Sequence, residues 1–103
     1  MTESLQKALD TIIRVADPDK VILFGSWARG EETPDSDYDL LVLKNGVKHR
    51  RKLAQKIHSN FHDVGAPFDI LVYETDKFEE IKNYPFKIYY DIDKEGVIIY
   101  EKN

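Results

Sequence analysis

The chain has 103 residues, 42% hydrophobic and 33% charged, enough for one domain (1–103) with a modest core and too apolar for intrinsic disorder. Fifteen basic and nineteen acidic side chains leave a net charge of −4, which argues against general nucleic-acid binding and suits either plain solubility or a basic protein partner. No cysteine is present, so disulfides and thiolate zinc sites are excluded; no run approaches the ~18 apolar residues of a membrane span, and residues 1–15 lack the basic start and apolar core of a signal peptide, which makes the cytoplasm the default expectation.

Residues 3–16 carry Leu5, Ala8, Leu9, Ile12, Ile13 and Ala16 at helical spacing, which predicts an amphipathic packing helix. Thr2 and Ser4 are candidates for its cap. Asp17-Pro18-Asp19 ends it, because proline cannot continue a helix. An unbroken apolar run at 21–24 then predicts a central strand.

The densest stretch follows. Gly25-Ser26 stops the first strand, and residues 26–30 predict one short helical turn. A polar loop with Pro34 leads to Ser36-Asp37-Tyr38-Asp39 and a second strand over about 37–44. Side chains alternate on a strand, so Asp37 and Asp39 share a face with Leu41 and Leu43, opposite Tyr38, Leu40 and Val42. Two carboxylates so close raise each other's pKa unless a cation offsets them. Hard Mg²⁺ suits that role, taking one or two carboxylates and phosphate oxygens. Gly25 lets the backbone approach a ligand closely, and Ser26 offers a hydroxyl and an amide. Together these features suggest a nucleoside-triphosphate site. Arg29 could contact a phosphate or pair with Glu31 or Glu32. Trp27 could stack on a base, though packing on the scaffold is favoured.

Lys44-Asn45-Gly46 is a turn signal, and 48–64 predict a second long helix with Leu53, Ile57, Phe61 and Val64 as its buried stripe. Its first turns hold His49-Arg50-Arg51-Lys52, read as a solvated face with a phosphate or RNA contact as the alternative. His58 and His62 stand four apart without the glutamate of a zinc-protease motif, so exposed helix histidines are the favoured reading. Gly65-Ala66-Pro67 breaks the helix, and 68–72 predict a third strand. Asp69 sits inside that apolar run, where a carboxylate is costly unless paired or metal-bound. If this strand lies beside the second, Asp69 joins Asp37 and Asp39; a salt-bridged strand-end aspartate is the plainer reading. Residues 74–82 predict a short helix capped by Thr75. Pro85 suits the first turn of another, with Phe86, Ile88, Tyr89 and Ile92 as its apolar residues and Gly96 as its cap. Residues 97–100 predict a last strand. Tyr84, Tyr89 and Tyr90 could mark a partner surface, with packing under the sheet the favoured alternative.

The two halves Gly25-Ser26-Trp27-Ala28-Arg29-Gly30 and Ser36-Asp37-Tyr38-Asp39-Leu40 resemble the signature of the DNA polymerase β-like nucleotidyltransferases. The short length resembles the minimal nucleotidyltransferase (MNT) family within them. The resemblance implies an α/β fold, a small mixed sheet backed by helices. It implies transfer of a nucleoside monophosphate from Mg-ATP to a hydroxyl. Gly25 and Ser26 would hold the phosphates, aided by Arg29, and Asp37 and Asp39 would bridge two Mg²⁺ ions. Asp69 matches the family's third acid, and Ser36 could orient Asp37. Such proteins pair with HEPN-domain toxins as antitoxins, and can transfer AMP to a tyrosine of the toxin. A transferase acting on a small hydroxylated molecule and an antitoxin acting by steric binding are the alternatives.

Overall fold

The helix expected at 3–16 is α1, Glu3–Ala16, and Thr2 caps it: the Leu5 amide donates to the threonine Oγ1 at 3.2 Å. The computed structural model describes residues 1–85 and 87–103. The chain continues through β1 (Lys20–Phe24), α2 (Gly25–Arg29), β2 (Tyr38–Leu43), α3 (Arg50–Ser59), β3 (Phe68–Tyr73), α4 (Thr75–Ile81), α5 (Ile88–Glu95) and β4 (Val97–Glu101).

The four strands form one mixed sheet in the order β3-β2-β1-β4. β1 is central, as its continuous apolar run requires. It pairs antiparallel with β2 and with β4, the latter through a bulge between Val21 and Ile22. β2 and β3 are parallel, joined by the α3 crossover.

Alternation along β2 sorts the core into two layers. Tyr38, Leu40 and Val42 face Leu5, Leu9 and Ile12 of α1 and Ile57 of α3. Leu41 and Leu43 face Phe78 of α4 and Ile92 of α5, together with Ile22. Helices therefore back both faces. No charged side chain is fully buried among the described residues, and no described helix is long and apolar enough to cross a membrane.

Several expected boundaries shift. α3 spans ten residues, not 48–64. The amides of Asn60 and Phe61 bond back to the carbonyls of Ile57 and His58, a tightened last turn, and Asp63 then takes a positive φ of 52°. Phe61 still packs against the core, from the loop and not from the helix. His62 consequently shares no helix face with His58. α4 begins at Thr75 with Glu74 in the capping position, because the Thr75 hydroxyl donates to Asp19 Oδ2 at 2.6 Å. α5 starts at Ile88, with Pro85 in the turn before it; the apolar role expected of Phe86 lies outside the described residues. Gly96 is extended (φ −73°, ψ 158°) and not left-handed. It is needed for space: a Cβ there would meet the Ile92 carbonyl and the Ile22 side chain. The three tyrosines do not act together. Tyr89 stacks on Tyr73 at 4.5 Å, Lys94 lies over the Tyr90 ring, and Tyr84 is exposed.

Candidate active site

A mixed sheet brings unlike strand ends together. Because β1 runs against β2 and β3, its carboxyl end lies beside their amino ends. In register, Phe24 faces Asp39 and Asp39 faces Asp69. The turn leaving β1 and the acids entering β2 and β3 thus meet at one edge of the core. The third strand does lie beside the second, which sets Asp69 opposite Asp39, with Asp37 just before β2.

The turn is built by two glycines. Gly25 (φ 74°) reverses the chain out of β1, and Gly30 (φ 71°) ends α2 with its amide donating to the Ser26 carbonyl. The space that a Cβ at Gly25 would fill holds the Asp39 carboxylate, so backbone and acid lie in close approach. The Ser26 hydroxyl makes no hydrogen bond among the described residues.

Asp39 is half-buried, while Asp37 and Asp69 are exposed. Burial pushes the Asp39 carboxyl above its ordinary value, the charges of Asp69 and then Asp37 push it the same way, and Arg29 pulls it back. None of the three aspartates has an ion-pair partner among the described residues. Nor do three acidic or imidazole side chains among those residues converge into a ready-made ion site. The donor chemistry nevertheless fits a hard cation: three unpartnered carboxylates, Asp39 and Asp69 on adjacent strands and Asp37 just before β2, with the charges of the other two acting on Asp39. Further oxygens from a bound phosphate would complete the shell.

Beside Gly25 opens a cleft of about 360 Å³ between α2 and α5, lined by Phe24, Arg29, Ile88, Asp91, Ile92 and Glu95. The α5 residues carry no local signal for such a role; only the fold brings them near the turn. Arg29 pairs with Glu31 at 2.6 Å and reaches Glu95 at 3.6 Å. The ion pair expected as one of its two readings is therefore formed, with a second partner from α5. Ser36 does not bond Asp37. Its hydroxyl accepts from the Thr33 amide at 2.8 Å, and its carbonyl accepts from the Trp27 indole N–H at 3.3 Å. The Trp27 ring stacks on Tyr38 at 4.3 Å, and Tyr38 on Phe68 at 4.9 Å. Trp27 packs on the scaffold, clamping α2 to β2 and β3.

Known proteins resemble this chain in sequence and in fold. A protein of Methanocaldococcus jannaschii named a putative protein adenylyltransferase is 31% identical, with 84% of this chain and 93% of that protein covered. A toxin–antitoxin crystal structure with AMP-PNP superposes with a TM-score of 0.60 at 19% identity, covering 95% of this chain and 73% of the other. A putative nucleotidyltransferase from Sulfolobus solfataricus does so with a TM-score of 0.60 at 16% identity, covering 99% and 90%. A mutant of the toxin–antitoxin MntA-HpeT gives 0.59 at 17% identity, covering 100% and 76%. At these identities the structural likenesses establish the fold. Residues 6–103 match the family described as Polymerase beta, Nucleotidyltransferase, and the chain belongs to that family: it is a nucleotidyltransferase.

Proposed function

We propose that residues 1–103 act in the cytoplasm as one minimal nucleotidyltransferase domain, the antitoxin of a toxin–antitoxin pair, and transfer AMP from ATP to a tyrosine of a HEPN-domain toxin. One observation carries the reading: two unpartnered carboxylates opposite each other on adjacent strands, Asp39 and Asp69, with a third, Asp37, just before β2, set against the Gly25-Ser26 turn. The likeness to a named protein adenylyltransferase and to toxin–antitoxin structures supports the choice of a protein acceptor.

Gly25 and Ser26 bind the β- and γ-phosphates through backbone amides and the free hydroxyl, with Arg29 at the mouth of the cleft. Asp37 and Asp39 would hold two Mg²⁺ ions, shared with Asp69, which when bound neutralise phosphate charge and favour the ionised acceptor. The acceptor oxygen attacks the α-phosphorus in line, forming a new P–O bond. The bond from the α-phosphorus to the α–β bridging oxygen breaks, and pyrophosphate leaves. Asp69 takes the proton of the incoming hydroxyl. Asp39, packed against Gly25, fixes the distance between the phosphates and the acids.

The intact mass of a co-purified toxin, after incubation with this protein, Mg²⁺ and each nucleoside triphosphate, tests the proposal. An added AMP with ATP alone, absent with Asp37→Asn, is the expected result. An unmodified toxin that stays tightly bound would replace it with steric inhibition.

A further inference from the structure

β3 ends the sheet, hydrogen-bonded to β2 on one side only. Among the described residues no other main chain bonds to its outer side. Along it runs a groove of about 620 Å³. Ile70, Leu71 and Val72 line one wall. Their side chains alternate between the two sheet faces, so a groove touching all three follows the strand's edge. The facing wall is the basic run at the start of α3: Lys48, His49, Arg50, Arg51 and Lys52.

This run is anomalous in a chain of net charge −4. Lys48, Arg51 and Lys52 are exposed and form no ion pair among the described residues, whereas Lys20, Lys82 and Lys102 each have acidic partners. Arg50 lies 4.9 Å over the Tyr73 ring. An open edge supplies main-chain donors and acceptors, and the cations opposite select negative charge.

We propose that this groove binds an extended acidic segment of a polypeptide, added to β3 as a further strand. Main-chain hydrogen bonds to 70–72 supply the register, and acidic side chains meet Lys48, Arg51 and Lys52. A single-stranded nucleic acid fits less well: it wants exposed aromatic platforms, and the Tyr73 ring beside the groove lies under Arg50. The location gives the groove a purpose. Asp69 immediately precedes Ile70, so a segment laid along the edge leads to the candidate acids. The proposal rests on the protein-acceptor reading above and names the feature by which that acceptor is held.

Fluorescence anisotropy tests it, using Asp37→Asn protein without nucleotide and a labelled peptide of alternating Glu and Val. We expect binding, weakened about tenfold or more by Lys48→Glu, Arg51→Glu and Lys52→Glu combined. The same peptide with Lys for Glu, or N-methylated at every second residue, should bind correspondingly worse. The N-methylated comparison uses otherwise unaltered protein, so it stands even if the triple variant misfolds. Undiminished binding of the N-methylated peptide, tighter binding of oligouridylate, or no peptide binding overturns the proposal. Transfer to a protein acceptor without peptide binding would sink the groove and leave the acceptor reading standing. Peptide binding without such transfer would do the reverse.

Discussion

The carboxylate of Asp39 occupies the space that a side chain at Gly25 would need. The Gly25 turn and the acid are thus spaced by direct contact, at a residue whose φ of 74° already disfavours any Cβ. Gly25→Ala should cost about 1–2 kcal/mol in backbone strain alone. It should also displace Asp39 and slow nucleotidyl transfer at least about a hundredfold. Thermal melting and single-turnover transfer measured on the same preparation check both effects. Unchanged transfer would show that the contact does not set the geometry.

Asp39 should trade stability for function. Its carboxyl titrates above the ordinary 3.8 in the folded chain, chiefly through burial and then through Asp69. The folded state therefore binds the proton more tightly than the unfolded state. Stability falls as pH rises from 3.8 through the raised value, and the loss is complete above it. Asp39→Asn removes that penalty. The variant should melt above the parent at neutral pH, lose the advantage in acid, and transfer no nucleotide. Mg²⁺ should raise the melting point of the parent more than that of the variant.

Asp69 should separate chemistry from nucleotide binding. It is exposed and faces Asp39 across the parallel pair, and the proposed function gives it the acceptor's proton. Asp69→Asn should lower kcat by about 10²–10⁴ with little change in KM for ATP. It should also bring the Asp39 carboxyl down towards its ordinary value, because one of the charges raising it is gone. Carboxyl-carbon NMR titration follows the second effect; a raised KM for ATP with kcat intact would reverse the assignment.

Trp27 should prove structural. Its ring is half-buried against Tyr38, and its N–H reaches the Ser36 carbonyl. Trp27→Ala should cost about 2 kcal/mol, below the value for a fully buried tryptophan. Trp27→Phe should lose about 1 kcal/mol with the hydrogen bond. Denaturant midpoints measure both. A large rise in KM for ATP in Trp27→Phe, without loss of stability, would instead place the indole on the base.

The acids were legible because their signal is local: Asp37 and Asp39 lie two apart where an apolar strand begins, at Tyr38 and not at 37, and Asp69 interrupts another. Their meeting depends on strand order, which the residues alone do not state and the family resemblance implied. What escaped was long-range partnership. Glu95 lies sixty-six residues from Arg29 yet shares its guanidinium. Asp19 draws the Thr75 hydroxyl away from capping α4 across fifty-six residues. Ser36 bonds Thr33 because its own tight turn offers the nearer donor. Phe61 misled for a different reason. A residue packing on the core from a loop can continue a helix's periodicity by coincidence, and the helix then reads too long.

The column of Trp27, Tyr38 and Phe68 joins α2, which carries Gly25, to β2, which carries Asp39 with Asp37 just before it, and to β3, which carries Asp69. Its outermost ring is the chain's single tryptophan. Tyr38 stands between the two aspartates in sequence, so a shift of the acids around a ligand should reach the indole's stacking partner. The protein therefore carries an optical reporter of its own. Trp27 emission, excited selectively, should therefore change in titrations with Mg²⁺ and nucleotide, free of background from any other indole in the chain.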